Sequence, residues 1–312
     1  MTTFSFSSPT SNPFNISLSI SSSINPTFAD INNDGDLDLF IGAKNGSPDI
    51  SYLENIGTST SPNFAAATTN PFGITPPSRI YLYPTFADID NDGDKDLFAG
   101  NDFQINFYEN TGTSSAASFA TPSQSSFGLP IPQRFINIPT FADIDTDGDL
   151  DLFLGQDSLS LTYYENTGTA SNPTFGGANS SPFGLNTSAD GIDTPAPTFA
   201  DSDGDGDLDL FVGDKNVGGA LFFYENVGTA SSPSFGPKQT NPFGYVTPGF
   251  TQYLTPSFAD IDGDGDLDLF VGIDQGVIAF YENTPSGGDT TPPTATISLA
   301  DSALTIGETS LV

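Results

Sequence analysis

Apolar residues along this chain fall in short runs of β-branched and aromatic side chains, broken about every ten residues by Gly, Pro, Asn or Ser. No stretch keeps the three-and-four spacing of an amphipathic helix, so the pattern predicts an all-β chain. The runs also recur. PTFADINNDGDLDLFIG, PTFADIDNDGDKDLFAG, PTFADIDTDGDLDLFLG, PTFADSDGDGDLDLFVG and PSFADIDGDGDLDLFVG open their Asp-rich stretch at Asp30, Asp88, Asp143, Asp201 and Asp260, with spacings of 58, 55, 58 and 59 residues. Each copy is followed by YLEN or YEN (Tyr52 to Asn55, then Tyr108, Tyr164, Tyr224 and Tyr281). An NPF-like triplet recurs too, at Phe14, Phe72, Phe127, Phe183 and Phe243.

One repeat reads as four strands: one entering through PTFA, one leaving as LDLFVG, one ending in YYEN, and one around NPFG. Four strands in a unit of this length, without helices, predict a propeller blade rather than a solenoid coil. The chain opens with TFSFSSPTSNPF, which matches the fourth-strand segment PSFGPKQTNPF, while the last repeat stops at YENT. The N-terminal strand is therefore expected to complete the last blade, closing a five-bladed ring and leaving no open sheet edge. The propeller is placed at residues 1–284, a Gly/Pro/Thr linker at 285–293, and a short alternating tail at 294–312.

Composition sharpens this. With 39 acidic residues against 6 basic and no His, the formal charge is −33, which disfavours nucleic acid and anionic membranes as partners. The 28 Phe argue against disorder. Cys is absent, so neither disulfides nor thiolate sites staple the fold. No apolar run is long enough to span a bilayer.

In DIDTDGDLD, carboxylates stand at every second residue with Gly148 at the sixth position. So many like charges repel unless a cation sits among them. An oxygen-only donor set points to a hard ion, and the flexible shell of calcium suits such a loop better than the strict octahedron of magnesium. The expected ligand loops are Asp30, Asn32, Asp34, Asp36 and Asp38; Asp88, Asp90, Asp92, Asp94 and Asp96; Asp143, Asp145, Asp147, Asp149 and Asp151; Asp201, Asp203, Asp205, Asp207 and Asp209; and Asp260, Asp262, Asp264, Asp266 and Asp268. About five calcium ions, one per repeat, are expected. By analogy with an EF-hand loop, positions one, three, five and nine ligate through side chains, position seven through its carbonyl with its carboxylate outward. Asn32 makes the first site the weakest. Simple Asx turns need one or two Asp, not five alternating ones in five copies.

The run FADIDTDGDLDLFLG followed by YYENTG resembles the FG-GAP/VCBS-type repeat, related to the blades of integrin α-subunit propellers, over residues 1–284. The resemblance implies calcium in the hairpin between the first and second strands of each blade, and ligand recognition on the opposite face. The tail resembles the start of a bacterial Ig-like domain. On that opposite face the blade-joining loops carry Arg79, Tyr81, Tyr83, Arg134, Phe135, Phe250 and Tyr253, a polar and aromatic set suited to a glycan or peptide. The expected function is a calcium-stabilised, extracellular binding or adhesion module of a larger exported surface protein. The alternatives are a subunit of a filament or surface assembly, and part of a polysaccharide-degrading enzyme. With no His or Cys, and with Asp190 and Asp193 as the unrepeated carboxylate pair, the chain itself is expected not to be an enzyme.

Overall fold

A computed structural model describes residues 3–43, 49–77, 81–124, 126–129, 136–157, 161–214, 218–249 and 253–284. Each Asp-rich repeat folds as an antiparallel blade. The first blade runs through Ile24–Ala29, Asp38–Ala43, Ile50–Leu53 and Thr68–Thr69. The second comprises Tyr83–Ala87, Asp96–Gly100, Ile105–Tyr108 and Ser123–Gln124. The third has Asn137–Ala142, Asp151–Gln156 and Thr162–Tyr164, with Asn179 bridging to Tyr163 at the outer edge. The fourth is Pro195–Ala200, Asp209–Asp214, Leu221–Tyr224 and Gln239–Thr240. The fifth is Thr255–Ala259, Asp268–Ile273, Val277–Tyr281 and the N-terminal Thr10–Ser11.

Closure by the N-terminal strand is thus borne out: Thr10 lies opposite Phe280 and Ser11 opposite Ala279. All-β architecture and five blades follow the sequence reading. The outer strand is shorter than NPFG implied, because NPFG itself turns. Pro71–Gly73, Ser126–Gly128 and Pro182–Gly184 form single 3-10 turns, and Phe14, Phe72, Phe127, Phe183 and Phe243 all sit at φ between 52° and 56°. A left-handed Phe is strained. Its carbonyl, however, accepts the N–H of a Phe in the next blade: Phe64 to Phe14, Phe119 to Phe72, Phe175 to Phe127, Phe235 to Phe183 and Phe6 to Phe243, at 2.9–3.1 Å. Five equivalent bonds therefore run around the ring and offset the strain.

Phe from LDLF packs on Phe from the neighbouring PTFA across every seam: Phe40 with Phe86, Phe98 with Phe141, Phe153 with Phe199, Phe211 with Phe258, and Phe270 with Phe28, centroids 4.4–4.7 Å apart. Each such pair adds about 0.5–1.5 kcal/mol beyond its burial. The seams also bring backbones close. A Cβ on Gly42, Gly100, Gly155, Gly213 or Gly272 would stand 1.7–2.2 Å from a carbonyl oxygen of the next blade, so only glycine fits. The five first strands surround an axial cavity of ≈ 100 Å³ lined by Pro84, Pro139, Pro197, Pro256 and their neighbouring hydroxyls. Among the described residues no helix is long and apolar enough to cross a membrane. The linker and tail expected at 285–312, like Arg79, Arg134, Phe135 and Phe250, lie outside the described residues.

Candidate functional site

Each Asp loop joins the first strand to the second at one end of its blade, as the sequence reading placed it. Asx hydrogen bonds shape the turn. In the third blade the Asp143 carboxylate accepts the N–H groups of Asp147 at 3.1 Å and Gly148 at 3.2 Å, while Gly148 takes φ 94°. The same pair of bonds recurs at Asp30 and Asp88. The fourth position is left-handed in every loop, filled by Asn33, Asn91, Thr146, Gly204 and Gly263.

Positions one, three and five converge. Asp88, Asp90 and Asp92, Asp143, Asp145 and Asp147, Asp201, Asp203 and Asp205, and Asp260, Asp262 and Asp264 each bring three carboxylate oxygens within 4.8 Å of one another. Oxygens about 2.4 Å from a calcium ion on opposite sides are separated by that distance, so the triads have the size of a calcium shell. In the first loop Asn32 replaces the middle carboxylate, leaving Asp30 and Asp34 with a neutral oxygen between them.

The ninth-position residues Asp38, Asp96, Asp151, Asp209 and Asp268 stand outside these triads, buried at the start of the second strand. One oxygen of each accepts the backbone N–H of the YEN asparagine, Asn55, Asn110, Asn166, Asn226 or Asn283, at 2.7–2.8 Å. That asparagine in turn accepts N–H groups of the following turn, as Asn166 does from Gly168 and Thr174 at 3.0 Å. YEN is therefore structural, and its Tyr108, Tyr164, Tyr224 and Tyr281 are fully buried.

The seventh carboxylate was expected to face outward. Instead Asp149 and Asp207 are buried and Asp36, Asp94 and Asp266 half-buried, because the loop folds back over the strand end. Asp90, Asp94, Asp145 and Asp149 each keep a buried Oδ1 without a hydrogen-bond partner, as Asp268 does at Oδ2. Buried, unpaired carboxylate oxygens are costly. Burial first, then neighbouring aspartates, raises Asp94 and Asp149 to about 6 and Asp207 to about 7. Burial lifts Asp96, Asp151 and Asp268 to about 8, despite the bond from the YEN asparagine. A divalent cation relieves this crowding, and the residues fit one.

At the other end of the strands, Tyr81 meets Tyr253 and stacks on Tyr83, which is buried and lines the axial cavity. Tyr81 lies 6.2 Å from Tyr83 with rings near parallel and 6.3 Å from Tyr253, and the two hydroxyls of Tyr81 and Tyr253 are 3.5 Å apart. Nearby, Thr194 Oγ1 donates to Asp157 and Thr194 N–H to the buried Asp214, at 3.1 Å each, pinning the longest joining loop. Asp190 is committed to that loop as well: it accepts from Tyr224 at 2.9 Å, and Lys238 donates to its carbonyl.

A ring of five such blades with Asp-loop hairpins at one end defines a repeat propeller. Residues 30–99, 88–154, 143–212 and 201–271 match the FG-GAP-like repeat, and the chain belongs to that family. No curated protein matches it by sequence. Among solved structures it is similar to the catalytic domain of the Coprinopsis cinerea GH62 α-L-arabinofuranosidase, at 14% identity and TM-score 0.55 over 91% of this chain and 97% of that one. It is also similar to an Agrocybe aegerita lectin specific for non-reducing terminal N-acetylglucosamine, at 17% identity and TM-score 0.44 over 90% of this chain and 71% of that one. A third match is a Photorhabdus luminescens Tc holotoxin pore, at 15% identity and TM-score 0.42 over 95% of this chain; this chain spans 15% of the toxin's. The arabinofuranosidase corrects the expectation that the chain is not an enzyme. A catalytic domain is built on this same fold, so a repeated scaffold short of His and Cys does not set the chain apart from enzymes.

Proposed function

We propose that this chain is a calcium-stapled propeller that binds carbohydrate on the face opposite its Asp loops, in an extracellular setting where calcium is millimolar. The observation that carries the calcium half is the set of buried carboxylate oxygens without partners, Asp90 and Asp145 within the triads and Asp94 and Asp149 beside them. Extracellular modules with such ligands bind calcium in the ~0.1–1 mM range, which the cytosol does not supply. With five ions bound the formal charge of −33 falls to −23 (−33 + 10). Ligation also gives a Cys-free chain the staple it lacks.

The carbohydrate half rests on Tyr81 and Tyr253, half-buried tyrosines whose faces and hydroxyls offer the stacking and hydrogen bonds that sugars use, while Tyr83, stacked against Tyr81, is buried and supports them. The arabinofuranosidase, a carbohydrate-active protein on this fold, agrees with it. A calcium titration followed by thermal unfolding, with EDTA and magnesium controls, tests the first half. A melting temperature rising with millimolar calcium and saturating near five ions per chain supports it; no response overturns it. A glycan array probed with the calcium-loaded chain and with Tyr81→Ala tests the second. Binding lost in the variant supports it, and binding unchanged removes the tyrosine face from the reading.

A further inference from the structure

The five blades differ by one hydroxyl beside the ninth-position aspartate. Its first oxygen accepts an asparagine N–H in all five blades, but the partner of its second oxygen changes. Tyr52 Oη donates to Asp38 Oδ2 at 3.0 Å in the first blade, and Tyr163 Oη to Asp151 Oδ2 at 2.8 Å in the third. Ser202 Oγ takes that place on Asp209, while Asp268 Oδ2 is buried with no partner. The register explains the split. Tyr52 lies opposite Phe40 and Tyr163 opposite Phe153, and in the other blades the equivalent residues are Phe107, Phe223 and Phe280. In the third loop two further oxygens, Asp145 Oδ1 and Asp149 Oδ1, are buried and unpaired around the same carboxylate, and Asp149 is 9% exposed.

We propose that Tyr52 and Tyr163 are positioning residues for calcium in the first and third blades, their phenols orienting the Asp38 and Asp151 carboxylates toward the metal held by the loop. A donor behind a ligating carboxylate fixes its rotamer and tunes its basicity, and losing such a partner costs metal affinity ~10- to 100-fold. The five sites then form unequal classes. In the first blade Tyr52 offsets the neutral Asn32; the third blade, with a full triad and Tyr163, binds most tightly.

This inference rests on the calcium reading above, and the experiment separates the two. Calcium isotherms and terbium luminescence excited through tyrosine are recorded on the parent chain and on Tyr52→Phe/Tyr163→Phe. The chain has no Trp, so tyrosine is the sensitiser. Phenylalanine already fills this place in three blades, so the variant folds. The expected result is five ions at saturation in both proteins, with two sites weakened ~10- to 100-fold in the variant, and terbium emission from the remaining tyrosines that needs correspondingly more ion to reach half its plateau. The converse variant Phe107→Tyr tightens one further site. Superimposable calcium isotherms for the parent and double variant overturn the tyrosine role while leaving the calcium reading intact. No calcium binding by the parent overturns both.

Discussion

The two ends of the propeller are built on opposite plans. At one end the Asp loops repeat in all five blades, with one turn geometry and one bond from an asparagine N–H to the ninth-position aspartate per blade. At the other the joining loops share neither length nor chemistry, and tyrosines of two blades, Tyr81 and Tyr253, meet there. Repetition belongs to stability, since each copy solves the same packing problem. Under the proposed reading variation belongs to recognition, because one ligand would meet the ring once.

The strongest way to break this comparison is to strip the repeated end. Each independent site at 100 times its dissociation constant contributes about 2.7 kcal/mol, so EDTA lowers the melting temperature steeply, as calorimetry will show. Gly213→Ala comes next. Its Cβ would meet the Leu254 carbonyl oxygen at 2.2 Å, and a cost of about 3 kcal/mol or more, read by urea unfolding, is expected.

pH sharpens the metal-free state. Asp96, Asp151 and Asp268, raised by burial to about 8, hold protons in the folded chain that the unfolded chain has released. Stability in EDTA therefore increases as pH falls from about 8 toward 4 and is lost as pH rises through that window. Calcium, which needs these groups ionised, reverses the slope; thermal melts across the range with and without the ion check the sign. A smaller effect is local. Thr146 holds φ 57° where the fourth and fifth blades have Gly204 and Gly263, so Thr146→Gly gains up to about 1 kcal/mol in chemical denaturation. Changes at Tyr81 or Tyr253 leave unfolding within about 0.5 kcal/mol if the tyrosine face is built for binding.

What was legible in the sequence follows the same division. The Asp loops, the four-strand blade and the closing N-terminal strand could be read because five copies reveal their own register. The left-handed Phe of NPFG was hidden, since its strain is relieved by a bond to a residue of another blade. The seventh carboxylate was misread because an EF-hand loop leads into a helix, whereas this one folds back onto a strand. Tyr52 was grouped with the YEN tyrosines, yet pairing with Phe40 places it with Tyr163, and Leu53 takes the place of Tyr108. Among the joining loops, Tyr81, Tyr83 and Tyr253 were singled out, but their meeting needed the ring. Composition describes the scaffold and not what the unrepeated face does, so the lack of His and Cys does not decide whether the chain is an enzyme.

Closure has a mechanical consequence. Thr284 N–H bonds the Ser5 carbonyl at 2.8 Å and Ser7 N–H the Glu282 carbonyl at 2.9 Å, so the strand that begins the ring and the strand that ends it lie side by side. Tension drawn through residues 5 and 284 pulls on one short seam inside the fifth blade and leaves the five junctions between blades unloaded. To whatever chain is joined at those two points, the propeller is a bead hung from a single knot, able to swing or be spliced into a strand without stretching it.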